Sequence, residues 1–156
     1  MGTLKTVFNS REFDLNDDVL VEFDDYFDKE YRDYNIFSLD EEDILALRNF
    51  AEQIRYMDSD STIYVCTYGY EITNSNGEKS TYADTLWIDT VLPVSKIEEL
   101  IKESGVAEPS EISFVKNSAE YGNGNIWLVT QDEQSSQIIE LTDCKQIGHM
   151  AMLYWD

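Results

Sequence analysis

Carboxylates and aromatic side chains are mixed through the first quarter of this chain, and the mixture restricts what the segment can fold into. Residues 11–43 hold fourteen carboxylates against three cations, a net charge of −11, which is about half of the −21 carried by all 156 residues. A disordered acidic tail would lack aromatic and β-branched residues, whereas Phe, Tyr and Val recur throughout this segment. We therefore expect a folded surface with a dense negative field. Because like charges repel, such a surface opposes folding, and a positively charged partner is the expected reason for it.

Size and composition indicate one domain spanning residues 1–156, with a hydrophobic content of 42% that supplies a core. No apolar run is long enough to cross a membrane, and the first residues lack the apolar core of a signal peptide. These features favour a cytosolic protein. In that compartment we expect Cys66 and Cys144, the two cysteines, to be free buried thiols.

Two helices are predicted from their start signals. Ser38 and Glu41 have the spacing of a capping box, which predicts a helix over about residues 39–57 with an acidic first turn. Its apolar stripe comprises Ile44, Leu47, Phe50, Ala51, Ile54 and Met57. Ser95 and Glu98 repeat the capping-box spacing, and Gly105 ends the second helix, which is expected over about residues 96–104.

The remaining apolar segments predict strands. Residues 3–37 are expected to form short strands and turns. Residues 62–73 and 80–90 should form a hairpin around Asn76-Gly77, in which Tyr64, Tyr68 and Tyr70 share one face, either as an interface or as core. Further strands are expected at 111–116, 125–130, 136–142 and 150–155, with turns at 122–124 and 132–134. The predicted fold class is α+β, a mixed or antiparallel sheet packed by two helices.

Catalytic chemistry has little support in the sequence. His149 is the only histidine, so a His-rich metal site is excluded and a Ser-His-Asp triad could use this residue alone. We interpret it as structural, although it could pair with Cys144. Carboxylate pairs are too abundant to identify a glycosidase. We therefore predict no catalytic residue and no cofactor.

One calcium-like pattern is present near the start of the acidic segment. Asp14, Asn16 and Asp18 have the spacing of the first ligands of an EF-hand loop. However, Val19 occupies the position that requires glycine, and Asp25 stands where a bidentate glutamate is needed. The sequence therefore does not predict a metal site.

The order of residues 86–112 resembles a segment of the ArdA-type antirestriction proteins, small acidic DNA mimics. The family's Trp-containing strand, Leu-Pro pair, acidic helix and acid-flanked strand have counterparts in Leu86-Trp87-Ile88, Leu92-Pro93, residues 97–101 and Glu108 with Glu111-Ile112. The resemblance implies an acidic surface that imitates the phosphates of a duplex.

These observations lead to one main functional hypothesis, a non-enzymatic inhibitor that occupies the basic groove of a nucleic-acid-binding defence enzyme of the restriction or CRISPR type. The alternative is an immunity protein that neutralises a cognate nuclease toxin, and an acid-rich enzyme such as a glycosidase is a third hypothesis. The charge excludes nucleic acid and anionic membranes as direct ligands and leaves a homodimer open. The predicted contact residues are Asp14, Asp17, Asp18, Glu22, Asp24, Asp25, Tyr26, Asp28, Glu30, Tyr31 and Asp33.

Overall fold

The computed structural model describes residues 3–10, 12–28, 31, 33–115, 126–131, 136–140 and 150–155. The helices in these ranges are α1 (Thr3–Ser10), α2 (Phe23–Tyr26), α3 (Glu41–Met57) and α4 (Val94–Ser104). The strands are β1 (Asp18–Glu22), β2 (Asn35–Phe37), β3 (Thr62–Tyr68), β4 (Ile72–Thr73), β5 (Lys79–Asp89), β6 (Glu111–Val115), β7 (Ile126–Gln131), β8 (Ser136–Glu140) and β9 (Met150–Tyr154).

The strands form one mixed sheet in the order β6-β9-β5-β3-β1-β7-β8, and β2 and β4 pair with the first half of β5. The β1–β7 and β2–β5 pairs are parallel, and the other pairs are antiparallel. The predicted α+β class is confirmed, and of the two sheet types that the sequence left open, mixed or antiparallel, the sheet is mixed. Glu22 pairs with Tyr64, and Thr62 pairs with Asp89, so β1 and β5 end at the same end of the sheet, where β3 begins.

The main core lies between the sheet and the helix pair α3–α4. Side chains alternate along a strand, so Val19 and Val21 of β1 face this core while Leu20 faces the other side. Helix α3 contributes its predicted stripe of Ile44, Leu47, Phe50, Ala51 and Ile54. A second cluster on the opposite face contains Leu20, Cys66, Trp87, Ile126 and Met150.

The residue that caps the start of α3 differs from the predicted one. The cap is Asp40, whose carboxylate accepts a hydrogen bond from the Asp43 N–H at 3.0 Å. Ser38 instead lies outside the helix and its hydroxyl donates to the Trp155 carbonyl. Aspartate is as good a cap as serine, and Asp40 lies at the correct spacing from the Asp43 N–H. The predicted Ser38–Glu41 capping box is therefore wrong.

The capping box predicted for α4 is also wrong. Pro93 occupies the cap position without a side-chain hydrogen bond, and the helix begins at Val94. The predicted end is correct, because Gly105 has a φ of 82° and its N–H donates to the Ile101 carbonyl.

The predicted hairpin is present but its first strand is broken. Gly77 has a φ of 83° in the turn between β4 and β5, where the Asn74 side chain accepts hydrogen bonds from the backbone N–H groups of Asn76 and Glu78. The long strand expected over 62–73 ends at Tyr68 and resumes at Ile72. Tyr70 therefore lies beyond β3, where its ring stacks on that of Tyr68 with centroids 5.4 Å apart.

Helices α1 and α2 lie where only strands and turns were expected. Leu4 and Val7 of α1 are buried in the main core, and α1 contacts β7 and β8. A helix of eight residues is too short to be stable alone, so it depends on this packing. The turns predicted at 122–124 and 132–134, together with Cys144 and His149, lie outside the described residues.

Candidate partner-binding surface

The acids that follow β1 are placed by a one-turn helix. Phe23 and Tyr26, three residues apart on α2, are both buried, so the residues between them must point away from the core. Asp24 is exposed and Asp25 is half-buried. Glu22, which precedes the helix, and Asp28, which follows it, are also exposed. We call Glu22, Asp24, Asp25 and Asp28 the α2 acid group.

The other three carboxylates of this group lie close enough to Asp25 to influence its ionisation. Partial burial raises the pKa of Asp25, and the negative charges of Glu22, Asp28 and Asp24 raise it further. A carboxylate whose neighbours oppose its ionisation lies in a negative local potential. A cation that approaches the α2 acid group is therefore attracted by several charges together.

Arg55 joins this group to the last turn of α3. Its guanidinium lies 3.1 Å from the Asp24 carboxylate and 2.9 Å from that of Glu52. The same guanidinium lies over the Phe23 ring, 5.9 Å from its centroid. One cation is thus shared by two carboxylates, and the exposed side of α3 extends the acidic surface.

The negative surface continues across the end of the sheet. Burial raises the pKa of Tyr64, and the charges of Asp89 and Glu22 add to this effect. Both carboxylates therefore lie near the phenol. We call this end of the sheet, with the α2 acid group and the end of α3, the acid end.

Asp58 fixes the loops at the acid end. Its carboxylate accepts hydrogen bonds from the Thr90 hydroxyl at 2.6 Å and from the Val91 N–H at 3.1 Å, which lower its pKa. Asp58 directly follows α3, so these contacts hold the end of that helix against the segment after β5. Tyr56, Met57 and Val91 are all exposed here, and we call them the apolar patch.

Three other predicted contact residues lie far from the acid end. Asp14, Asp17 and Asp18 lie at the opposite end of β1, which is about 13 Å long at the usual rise per residue. Asp14 is exposed. Asp17 is buried, and its carboxylate accepts hydrogen bonds from the Asp14 N–H and the Trp127 Nε1–H, each at 3.0 Å.

Two predicted tyrosines have structural contacts. Tyr26 is fully buried and its hydroxyl donates to the Ile36 carbonyl, so it belongs to the core and not to an exposed surface. Tyr31 is half-buried with its ring 4.9 Å from that of Phe27. Asp33 is exposed and lines a cavity of about 470 Å³ together with Lys5 and Lys79. Glu30 lies outside the described residues.

A second titratable group lies on the sheet face opposite α3. Asp18, Cys66, Tyr68 and Asp84 border a cavity of about 300 Å³. Burial raises the pKa of Asp18 to about 7, although a hydrogen bond with Cys66 opposes part of the shift. Burial and the Asp18 charge raise the pKa of Cys66, so its thiol stays protonated and is a poor nucleophile.

Of this second group, Tyr68 was predicted to lie on a tyrosine face, but its partner Asp84 was missed. The Tyr68 hydroxyl donates to the Asp84 carboxylate at 3.1 Å. The two residues meet because a register shift between Cys66 and Thr67 places Asp84 outside the regular pairing of β3 with β5. No spacing along the chain signals such a bulge.

The apolar patch was also missed, and part of it contradicts a prediction. Met57 was assigned to the apolar stripe of α3 but is exposed. Tyr56 lies outside the stripe formed by Ile44, Leu47 and Ile54, and this mismatch in helical spacing was the available signal.

Comparison with known proteins gives no relative. The chain matches no protein family model, no curated protein and no solved structure. The ArdA-type resemblance therefore stays a prediction. Within the described ranges, no group of three or more His, Cys, Asp and Glu side chains is arranged to hold a metal ion. In the same ranges, no helix has the length and apolar character needed to cross a membrane.

Proposed function

We propose that this protein is a non-enzymatic acidic inhibitor that binds the basic groove of a nucleic-acid-binding defence enzyme, of the restriction or CRISPR type. The observation that carries the proposal is the α2 acid group, in which Glu22, Asp24 and Asp28 all act on Asp25. Enzymes that bind duplexes meet the phosphates with rows of Lys and Arg. A group of carboxylates on a fixed helix turn presents the same sign of charge as the phosphates.

The way in which α2 holds its carboxylates supports this proposal. Asp24 and Asp25 project from a helix turn whose other residues, Phe23 and Tyr26, are locked in the core. The carboxylates are therefore held in place before a partner arrives, and binding needs little further ordering. Attraction between opposite charges would accelerate association and would weaken as salt increases.

An immunity protein for a nuclease toxin is the second candidate, and the placement of the acids favours it. The described acids of residues 14–28 divide between the two ends of β1. A compact acidic surface at one end suits a single protein partner, whereas a general duplex mimic needs an elongated array. The two functions differ in the number of targets. A mimic should inhibit several unrelated enzymes, whereas an immunity protein should inhibit only one.

The test uses purified enzymes and a matched pair of variants. DNA cleavage by several restriction endonucleases and a guide-loaded Cas nuclease is measured against increasing amounts of the protein. A triple variant, Asp24→Lys, Asp25→Lys and Asp28→Lys, should lose at least about tenfold in inhibition. The control is Glu98→Lys, Glu99→Lys and Glu103→Lys on the exposed side of α4, which changes the net charge equally.

The outcomes separate the candidates. Inhibition of several enzymes that is lost only in the α2 variant supports the mimic. Inhibition of none of these enzymes, with tight binding to the product of a neighbouring toxin gene, supports the immunity protein. Equal loss in the two triple variants would mean that net charge, and not the α2 acid group, is responsible.

A further inference from the structure

The apolar patch consists of three exposed apolar side chains beside the acids. Tyr56, Val91 and Met57 are 89%, 87% and 46% exposed. They come from two segments that the Asp58 carboxylate holds together through Thr90 and Val91. Asp58 therefore holds the backbone of Val91 close to the end of α3, which carries Tyr56 and Met57.

The core does not need these side chains. Helix α3 already buries Ile44, Leu47 and Ile54 against the sheet, and Tyr56 projects from its other side. Grouped apolar side chains surrounded by polar ones are typical of a binding surface. Tyr and Met are also enriched at protein interfaces because they bury a large area.

The surrounding charge indicates the chemistry of the occupant. Glu52 and Asp60 are exposed near the patch, and Asp58 lies within it. Arg55 is engaged by Asp24 and Glu52. A second copy of this chain would bring the same excess of negative charge, and nucleic acid or an anionic lipid would be repelled. A basic protein segment complements this rim.

We propose that the apolar patch is the anchor for a basic protein segment that carries apolar side chains among its arginines or lysines. The apolar side chains would pack on the exposed Tyr56 ring, Met57 and Val91, and the arginines or lysines would face the rim carboxylates described above. Buried aromatic anchors supply most of the binding energy at interfaces, whereas charges steer the encounter. This proposal rests on the proposed function, since the acid end must first attract the basic partner.

The test compares two synthetic probes that differ only in apolar content. One is an arginine-rich peptide containing leucines, and the other is a charge-matched peptide with serine in place of every leucine. Binding is followed by calorimetry and by the NMR signal of the ¹³C-labelled Met57 methyl group. We expect the leucine peptide to bind about tenfold more tightly and to shift the Met57 signal. The exposed Tyr56→Ser variant should lose this preference.

Tyr70→Ser is the matched control, because Tyr70 is a partly exposed tyrosine at the far end of β3. It should keep the preference for leucine. Equal affinity for the two peptides, or a preference that survives Tyr56→Ser, would overturn the anchor. Binding of both peptides that is unchanged in the α2 triple lysine variant would instead overturn the proposed acidic surface. Preferential binding of phosphatidylserine vesicles or duplex DNA would contradict both proposals.

Discussion

The indole of Trp127 on β7 donates a hydrogen bond at 3.0 Å to the buried carboxylate of Asp17, which also binds the Asp14 N–H. This carboxylate holds the turn before β1 and connects it to the neighbouring strand. We expect Asp17→Ala to lower the free energy of unfolding by about 1–3 kcal/mol, because two partly buried hydrogen bonds lose their carboxylate acceptor. Urea denaturation measures the change. Asp14→Ala, which removes an exposed carboxyl and keeps the backbone, should change stability by less than about 0.5 kcal/mol.

Gly69 packs against the same turn and should not tolerate a side chain. A Cβ atom at this position would lie 2.5 Å from the Asp14 carbonyl oxygen and 3.0 Å from the Phe13 Cβ. We expect Gly69→Ala to cost about 1–3 kcal/mol, since the turn must move away from β3. Gly77→Ala is the comparison, because Gly77 has open space but a positive φ. That variant should cost about 1 kcal/mol in urea denaturation. A smaller loss for Gly69→Ala than for Gly77→Ala would argue against the close approach.

Asp18 predicts a pH dependence of stability. Burial raises the pKa of the Asp18 carboxyl to about 7 in the folded state, whereas the free carboxyl has a pKa of 3.8. Between these values the folded state binds more protons than the unfolded state, so the contribution of Asp18 to stability falls as pH rises and is constant above about pH 7. Asp18→Asn cannot ionise, and its melting temperature relative to the wild type should increase across this window. Thermal unfolding in one-unit pH steps measures it.

The exposed Glu12→Gln is the control for this pH series. The difference in melting temperature between this variant and the wild type should show no comparable rise between pH 3.8 and about pH 7. A difference for Asp18→Asn that is the same at every pH would mean that folding does not raise the pKa of Asp18.

The observed start of α3 gives a direct comparison of two candidate caps. Asp40→Ala removes the acceptor for the Asp43 N–H and should cost about 1 kcal/mol. Ser38→Ala removes only the 3.4 Å contact with the Trp155 carbonyl and should cost less. Guanidinium denaturation of the two variants measures the difference. The reverse order of stability would restore Ser38 as the cap.

Strong local signals made part of the fold predictable. Three signals depend only on residues that are close together in the chain, so the sequence alone located their elements. They are the apolar stripe along α3, Gly105 after α4 and Asn76-Gly77 in the hairpin. Helix α1 carries no such signal and forms because Leu4 and Val7 pack into the main core. Its prediction would have required knowledge of the sheet.

The candidate surface was only partly predictable for the same reason. The concentration of acids is visible in the sequence, but its division between the two ends of β1 depends on strand pairing. Tyr26 could have been recognised as a core residue from its spacing to Phe23. The joining of Met57 to Val91 through Asp58 connects segments more than thirty residues apart, which no pattern along the chain reveals.

Helix α2 has a thermodynamic consequence. Because Phe23 and Tyr26 fix its backbone, the α2 acid group cannot spread out to relieve its repulsion, and folding must work against it. Any cation that shields these charges stabilises the native state over the unfolded chain, where the acids can separate. The melting temperature of the protein should therefore report the binding of cationic ligands. A polyamine or a basic partner should raise it, and the increase should be smaller in the α2 triple lysine variant.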